Sequence, residues 1–588
     1  MGDLRKNNHT NAKVTAGNDL SFLFDDDNKN SNTNQDDLNK ISVSMERVHL
    51  VKFLFIFIFS VFIIRSTSLA IFPGEILSKP NKIISNSIKN PLPEIYDRND
   101  KLLATTIETK RASIRNPVNP EETARMIKAV IPNLDKDILL NNLENKKYVE
   151  IADNINDIQY YDILNSGVAE VEFHSVWRRI YINKQLASHI IGYSGRDLIG
   201  LSGIEKTIPK SKILHEDIKL SIDIAVQFHL EDQITKGMDL YNAESGFGIV
   251  LNANNGQIIA SASLPTFDPN VISKNYKDSA VKKSTFNQVL QGSYELGSVM
   301  KIMTLAMGLE SSKIDLSDKF NDNICIKIAA NRCLNNYRNQ SSENLINSVD
   351  CLVRSSNRCM AQIAMRVGKE NQKSFLQKVG LLDEYLLEVH ETGSPILPER
   401  WTNNSMITIS FGQGLSVVPL SFSSSVATMV NGGYRIQPSL NYYNNPIKEN
   451  RVISEITSKK LVYAMRQVVK YGSGKKADVE GYAVIGKTGT ADIPCNGSYE
   501  GCGNRTSFVG AFPGWDPKYV ILISYEKPKE NHARGIMGGS SYHNAGPTAG
   551  EVIRLIAPIL NIEHNPAKEV KNPIQGGLNN GSIEEGSL

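Results

Sequence analysis

Hydrophobic and polar positions divide the chain into stretches of different texture. Residues 1–47 are rich in Asn, Asp and Lys with few large apolar groups, so they cannot bury a core and are expected to form a disordered cytoplasmic tail. Residues 48–72 read VHLVKFLFIFIFSVFIIRSTSLAIF, with Lys52 and Arg65 as the only full charges. About twenty such residues at 1.5 Å each cross roughly 30 Å of hydrocarbon, which predicts a single transmembrane helix whose two cations snorkel to the interfaces. The long polar leader argues against a cleaved signal peptide, whose apolar stretch lies near the start. Pro80, Pro91 and Pro93 then mark an extended linker.

Alternating and helical patterns begin at a turn, Glu94 to Asp100, leading into Lys101-Leu102-Leu103-Ala104. Pro120 to Val130 reads as a helix, with Glu121 and Glu122 in its first turn where they suit the helix dipole. No nucleophile and base stand together here, so this second domain, drawn at 73–215, is expected to be structural. From Leu220 onward strands and longer helices alternate. Ile249–Ala253, the turn Asn254-Asn255-Gly256, and Gln257–Ala262 predict a hairpin that starts a core sheet. That domain is drawn at 216–562, and the polar, glycine-rich 563–588 is expected to be a disordered tail.

Charge and cysteine change the picture in two ways. The net charge of +3 without a basic run leaves no footprint for nucleic acid. All six cysteines follow the predicted span, which suits an oxidising compartment for the C-terminal part, whereas Arg47 and Lys52 against Arg65 and Lys79 barely decide orientation. Cys495 with Cys502 is the first candidate disulfide, because Gly497 and Gly501 let the loop return, and Cys325 with Cys333 is the second. Cys351 and Cys359 would lie about 12 Å apart on one continuous helix and pair only if it breaks. Buried free thiols remain an alternative for all six.

Candidate chemistry gathers in three motifs: Ser298-Val299-Met300-Lys301, Ser355-Ser356-Asn357 and Lys487-Thr488-Gly489. Ser-x-x-Lys recurs at Ser279, Ser473 and Ser524, but only Ser298 has its lysine set among Val299, Met300, Ile302, Met303, Leu305, Ala306 and Met307. That texture predicts a helix buried nearly all round, with Ser298 and Lys301 on one face within hydrogen-bonding reach. A buried lysine loses its proton readily and becomes a base for the serine. Ser355 and Asn357, in a turn between two helical stretches, offer a proton relay and an amide that donates and accepts; a helix cap is the plainer reading. Gly481 to Thr488 matches a phosphate-loop pattern, yet Tyr482 to Ile485 prefers strand, and Gly489 and Pro494 oppose the helix a phosphate loop needs. As an edge strand, Lys487 would clamp a peptide carboxylate, Thr488 and Thr490 would add hydroxyls, and Gly489 would leave room for a peptide alongside. Backbone N–H groups of Ser298 and Thr490 would face a developing oxyanion. The chemistry uses side chains and backbone alone, and no cofactor or metal is expected.

The three motifs resemble those of the penicillin-binding proteins, the serine D,D-transpeptidases that cross-link peptidoglycan. Tyr294-Glu295-Leu296-Gly297-Ser298, Phe411 to Leu420 and Phe508-Val509-Gly510-Ala511-Phe512-Pro513 are similar to recurrent segments of that family. Arg179-Ile180-Tyr181, Ala187 to Gly192 and Gly203-Ile204-Glu205-Lys206 resemble the pedestal, or dimerisation domain, of class B members, and no glycosyltransferase segment precedes it. The resemblance covers about Pro93 to Pro558 and is greatest to the division-specific transpeptidase, with the elongation-specific relative as the alternative. It implies an α+β fold, an antiparallel sheet sandwiched by helices, on an elongated pedestal anchored by one N-terminal transmembrane helix in the inner membrane, with the catalytic domain in the periplasm. It also implies that Ser298, deprotonated by Lys301, attacks a stem peptide on lipid-linked precursor or nascent glycan. Ser355 then relays a proton with help from Lys487, and Asn357 holds the substrate amide. Beta-lactams would acylate the same serine, and other division membrane proteins would be partners. A lactam sensor or lactamase, and a catalytically silent division scaffold, are the rival readings.

Overall fold

The structure, a computed structural model, describes residues 51–63, 92–209, 216–272, 283–329, 332–336, 341–342, 344–443, 450–495, 499, 501–531 and 537–573. The chain divides into two compact units, Met1–Lys89 and Asn90–Leu588. In the first, 51–63 is helical and every one of its residues is exposed, including Phe53, Phe57 and Phe62 at 67 % or more. Among the described residues no helix is long and apolar enough to cross a membrane. The rest of the expected span and the expected tail 1–47 lie outside the described residues.

The second unit begins with β1 (Ile95–Tyr96) and the long β2 (Leu102–Arg115). Asp97 makes the turn between them, its carboxylate accepting from the N–H groups of Asn99 and Lys101. Helices α1 (Pro120–Val130) and α2 (Lys136–Asn145), strand β3 (Tyr148–Ile155), helix α3 (Asp157–Asn165) and strand β4 (Val171–Tyr181) follow. β2 pairs with β4 along most of its length and with β3 at its far end, and β1 joins β5 (Ile218–Lys219) in parallel. Asn119 caps α1, as the sequence pattern of a polar residue before Pro120 suggests. The core here is small: Ala112, Ile114, Ile127, Leu139, Leu143 and Val149 form its centre. Arg179 and Glu205, from two of the segments that carry the pedestal resemblance, meet in a buried ion pair at 2.7 Å.

Helix α4 (Ile224–Tyr241), capped by Asp223, leads into a five-stranded antiparallel sheet. Its first two strands, β6 (Ser245–Asn252) and β7 (Ile258–Leu264), are the predicted hairpin, turning at Gly256 with φ +77°. The other three, β8 (Ile485–Asp492), β9 (Asn504–Phe512) and β10 (Tyr519–Glu526), come from the far end of the chain. The order is β8-β9-β10-β6-β7, with β10 and β6 paired from Tyr519↔Asn252 to Glu526↔Ser245.

The sheet is buried on both faces, because strand side chains alternate. Val250, Ile521 and Ile523 enter one layer with Leu230 and Ile234 of α4 and with Val552, Ile553 and Ile556 of a C-terminal helix, Ala545–Ile559. Ile249, Leu251, Val520 and Leu522 enter the other, with Ile302 and Leu305 of α5 (Lys301–Glu310) and with later helices. One of these, Pro419–Val430, is buried along its entire length, and Ser423, Ser425 and Thr428 return their hydroxyls to backbone carbonyls one turn earlier. The α+β expectation of a sheet between helical layers therefore holds. Within the tail expected from 563, Glu569 pairs with the buried Arg466 at 2.6 Å and Val570 packs on the core. Residues 574–588 lie outside the described residues.

Candidate active site

Ser298 lies on a tight 3-10 turn, Gly297–Met300, that runs into α5. The sequence pattern predicted a helix buried nearly all round, and Lys301 to Leu309 of α5 are all buried. The local geometry differs from the expected α-helix at the nucleophile itself, because Gly297 enters the turn at φ +64°. Residues three apart eclipse in a 3-10 turn, which still keeps Ser298 and Lys301 on one side.

Lys301 does not use its amine as the spacing suggested. Its hydrogen bonds go to Ser355, to the hydroxyl at 3.0 Å and to the carbonyl, rather than to the Ser298 hydroxyl. The amine is buried, and burial first, then the positive charge of Lys487, hold it well below the ordinary lysine value; Cys359, Asp322 and Cys351 pull the other way. The shift favours the neutral amine, which is what a base for a serine hydroxyl requires.

Ser355-Ser356-Asn357 makes the predicted turn between two helices, α6 (Ser348–Val353) and α7 (Asn357–Val367). The break is sharp because Ser355 takes a left-handed backbone, φ +57°. Ser356 caps α7 by accepting from the Cys359 N–H at 3.0 Å, so the helix-cap reading of this motif is correct for its middle residue. Ser355 and Asn357 flank that cap, one bound to Lys301 and the other donating its side-chain amide to the Asn335 carbonyl at 2.9 Å.

Lys487, Thr488 and Gly489 lie on β8, the edge of the sheet, opposite Val509, Phe508 and Ser507 of β9. No helix follows Thr488, since the strand runs on to Asp492, and this geometry excludes a phosphate loop. Arg466 holds the approach to the strand by donating to the Val484 carbonyl at 3.0 Å and to Asp478. The Lys487 amine is buried, donates to the Thr488 carbonyl at 3.0 Å, and is pushed down to about 7 by desolvation. The Thr488 hydroxyl bonds Ser473, and that of Thr490 lies 3.5 Å from Ser541.

Gly489 serves a purpose other than the one expected. A Cβ there would meet the Leu296 carbonyl at 2.5 Å and the Val299 N–H nitrogen at 3.0 Å, so what needs the space is the nucleophile turn rather than a peptide. The same fit recurs on neighbouring segments. A Cβ on Gly297 would lie 2.6 Å from the Thr490 carbonyl, and one on Gly412 would lie 2.0 Å from the Gly297 carbonyl. Three backbones, 296–299, 411–412 and 488–490, therefore touch directly and set Ser298 against the edge of the sheet.

Two other Ser-x-x-Lys occurrences, at Ser473 and Ser524, have no such arrangement. Ser524 bonds Ser507 within the sheet while Lys527 pairs with Glu244, Ser473 bonds Thr488, and Ser279 lies outside the described residues. Sequence reasoning assigned no role to Glu295 or Asp322. Glu295 accepts from the Gly414 N–H at 3.0 Å and from the Tyr499 hydroxyl at 2.9 Å, tying the nucleophile segment to two loops. Asp322, deep behind the second motif, accepts from Ser356. Cys325–Cys333 and Cys495–Cys502 are disulfides, while Cys351 and Cys359 are free and buried. Among the described residues no cluster of metal ligands occurs.

Comparison with known proteins gives two family matches. The penicillin-binding protein transpeptidase domain matches residues 246–553, just over half of the chain, and the penicillin-binding protein dimerisation domain matches 93–211. The chain is 28 % identical to the probable peptidoglycan D,D-transpeptidase FtsI of Caulobacter vibrioides, over 80 % of this chain and 81 % of that one. It is 28 % identical to stage V sporulation protein D of Bacillus subtilis, over 87 % and 86 %. It is 24 % identical to the probable peptidoglycan D,D-transpeptidase PenA of Neisseria gonorrhoeae, over 82 % and 87 %.

Proposed function

The chain belongs to the penicillin-binding protein transpeptidase family, and from that premise we propose that it is a class B peptidoglycan D,D-transpeptidase working through an acyl-enzyme on Ser298. One observation supports this most: the buried Lys301 amine, one tight turn from Ser298, donates to the Ser355 hydroxyl. Ser298 Oγ attacks the carbonyl of the penultimate D-alanine as Lys301 takes its proton. The tetrahedral intermediate is met by the backbone N–H groups of Ser298 and Thr490. As the C–N bond breaks, the terminal D-alanine leaves with a proton delivered through Ser355, and an amine of a neighbouring stem peptide then displaces Ser298.

In this reading Lys487, with Thr488 and Thr490, receives the donor's carboxylate, Gly489 admits the nucleophile turn, and Asn357 orients the donor amide. A beta-lactam presents the same carboxylate and carbonyl and would acylate Ser298 in the same way. A lactamase would need a group that activates water against the acyl-enzyme, and the buried acids Glu295 and Asp322 are engaged elsewhere, Glu295 by Gly414 and Tyr499, Asp322 by Ser356 and Asn336. The exposed apolar helix 51–63 supports a membrane anchor for a periplasmic enzyme, and the similarity around Ser298 and Phe508 supports septal synthesis with division membrane proteins as partners. Labelled penicillin tests the chemistry. Covalent labelling that is lost in Ser298→Ala and nearly lost in Lys301→Ala is expected, and unchanged labelling of the Ser298 variant overturns the assignment. A tagged copy found along the lateral wall rather than at midcell would overturn the septal role.

A further inference from the structure

Behind the second motif stands a hairpin that no step of the reaction touches. The Cys325–Cys333 disulfide closes it, and its strands, Lys327–Ala329 and Arg332–Cys333, pair antiparallel. Asp322 precedes it and Asn335-Asn336 follow it, so the cross-link fixes the separation of the two feet. Asp322 is 2 % exposed and fully engaged. One carboxylate oxygen accepts from the Ser356 hydroxyl and from the Asn336 side-chain amide at 2.8 Å, the other from the Ser342 N–H at 2.9 Å. The Asn336 side-chain oxygen in turn accepts from the N–H groups of Asn357 at 2.8 Å and Arg358 at 3.2 Å. The first orphan donors of α7 are thus satisfied from the hairpin, not from the helix's own turn.

Such a hold has a physical reason. A left-handed backbone at a non-glycine residue is strained and persists only where the surroundings over-determine it. Ser355 is in that conformation, and its neighbour Ser356 is the residue gripped by Asp322. We propose that Asp322 is a positioning residue for acyl transfer: through Ser356 and Asn336 it holds the turn that presents Ser355 to Lys301, and it keeps a negative charge behind that turn. This inference rests on the transpeptidase reading above. The groups that face Lys301 electrostatically are Lys487 from β8, Cys351 from α6, Cys359 from α7 and Asp322 from the hairpin. Of these, Asp322 is the carboxylate, and it opposes the repulsion from Lys487.

Two full-length variants test it, Asp322→Asn and Ser356→Ala, each followed by thermal melting and by the acylation rate with fluorescent penicillin across pH. Asp322→Asn keeps one acceptor oxygen for Ser356 and Asn336, loses the charge and turns a donor toward the Ser342 N–H, whereas Ser356→Ala keeps the charge and loses the grip. Each is expected to slow acylation by roughly 10- to 100-fold, with the penicillin dissociation constant little changed. In Asp322→Asn the acid limb of the rate should move to lower pH, since Lys301 then sheds its proton more easily; in Ser356→Ala it should stay. An Asp322→Asn protein that melts like the parent and keeps the parental limb overturns the proposal. Should that variant not fold, Ser356→Ala decides alone, and a parental rate overturns it. Failure of the parent itself to label would instead sink the transpeptidase reading.

Discussion

Lys301 donates to the Ser355 hydroxyl at 3.0 Å across 54 residues of sequence, and Ser355 receives it in a left-handed conformation. Strain and relay therefore reside in one residue and separate by substitution. Ser355→Gly removes both the hydroxyl and the steric penalty; Ser355→Ala removes only the hydroxyl. Both are expected to slow acylation by roughly 10²- to 10⁴-fold, while the glycine variant is more stable than the alanine variant by about 1 kcal/mol. Stopped-flow acylation and urea titration of the pair check this, and an alanine variant with parental acylation would remove Ser355 from the proton path.

The two buried lysines give the pH profile its shape. Lys301 is held well below the ordinary value by burial and by Lys487, so the acid limb of acylation is expected at lower pH than an exposed lysine would give. Lys487, pushed down to about 7 by burial, loses its charge as pH rises through that value in the free enzyme. An anionic penicillin needs that charge, so the second-order acylation constant should fall above about pH 7. Lys487→Arg keeps its charge throughout, and its profile should lose the alkaline fall. A fall that persists in Lys487→Arg would assign it to another group.

Much of this was legible because the signals are local. The Asn254-Asn255-Gly256 turn, the acidic first turn of Pro120–Val130 and the apolar wall around Lys301 each lie within a few residues of what they specify. The pairing of β6 with β10, Ser245 with Glu526, was not legible, since nothing in either strand encodes a partner so distant. Asp322 was silent for the same reason: its partners, Ser342, Asn336 and Ser356, are brought to it by the tertiary fold. Gly489 was read as space for a ligand because strand register alone does not reveal that Leu296 and Val299 fill it.

That contact makes Gly489→Ala a sharp test of the site's construction. The new methyl would lie 2.5 Å from the Leu296 carbonyl, backbone that cannot rotate away. Overpacking of this kind costs about 1–3 kcal/mol, and relief requires the turn bearing Ser298 to withdraw from β8. Acylation is expected to drop by two orders of magnitude or roughly so, with a smaller loss of melting temperature. A crystal structure of the variant with Ser298 unmoved would contradict it.

The cysteines give a prediction that needs no activity. Cys351 and Cys359 sit on opposite sides of the Ser355 break, and both are free and buried. Burial pushes the Cys351 thiol up, which keeps it protonated and unreactive. Alkylation in denaturant without reductant should modify these two cysteines, and prior reduction should expose the other four. Peptide mass mapping identifies them, and an unmodified Cys351 in the unreduced sample would show that the pair is oxidised.

Stability and activity should oppose each other at Lys487. Its folded-state value is about 7 against 10.5 in the unfolded chain, so between those values the unfolded state binds more protons and stability rises with pH. Below about 7 both states are charged and the folded state bears the full cost of desolvating the ammonium. Lys487→Met fills the same space without charge and gives up one hydrogen bond, to the Thr488 carbonyl. At pH 6 it is expected to be more stable than the parent by roughly 1–3 kcal/mol, with the advantage shrinking as pH approaches 10, and to acylate at least about 100-fold more slowly. Thermal melts of both proteins across that range check the sign. A parent whose stability is flat from pH 7 to 10, with a methionine variant less stable throughout, would mean that Lys487 is solvated in the folded protein and not held as a nearly neutral amine waiting for a carboxylate.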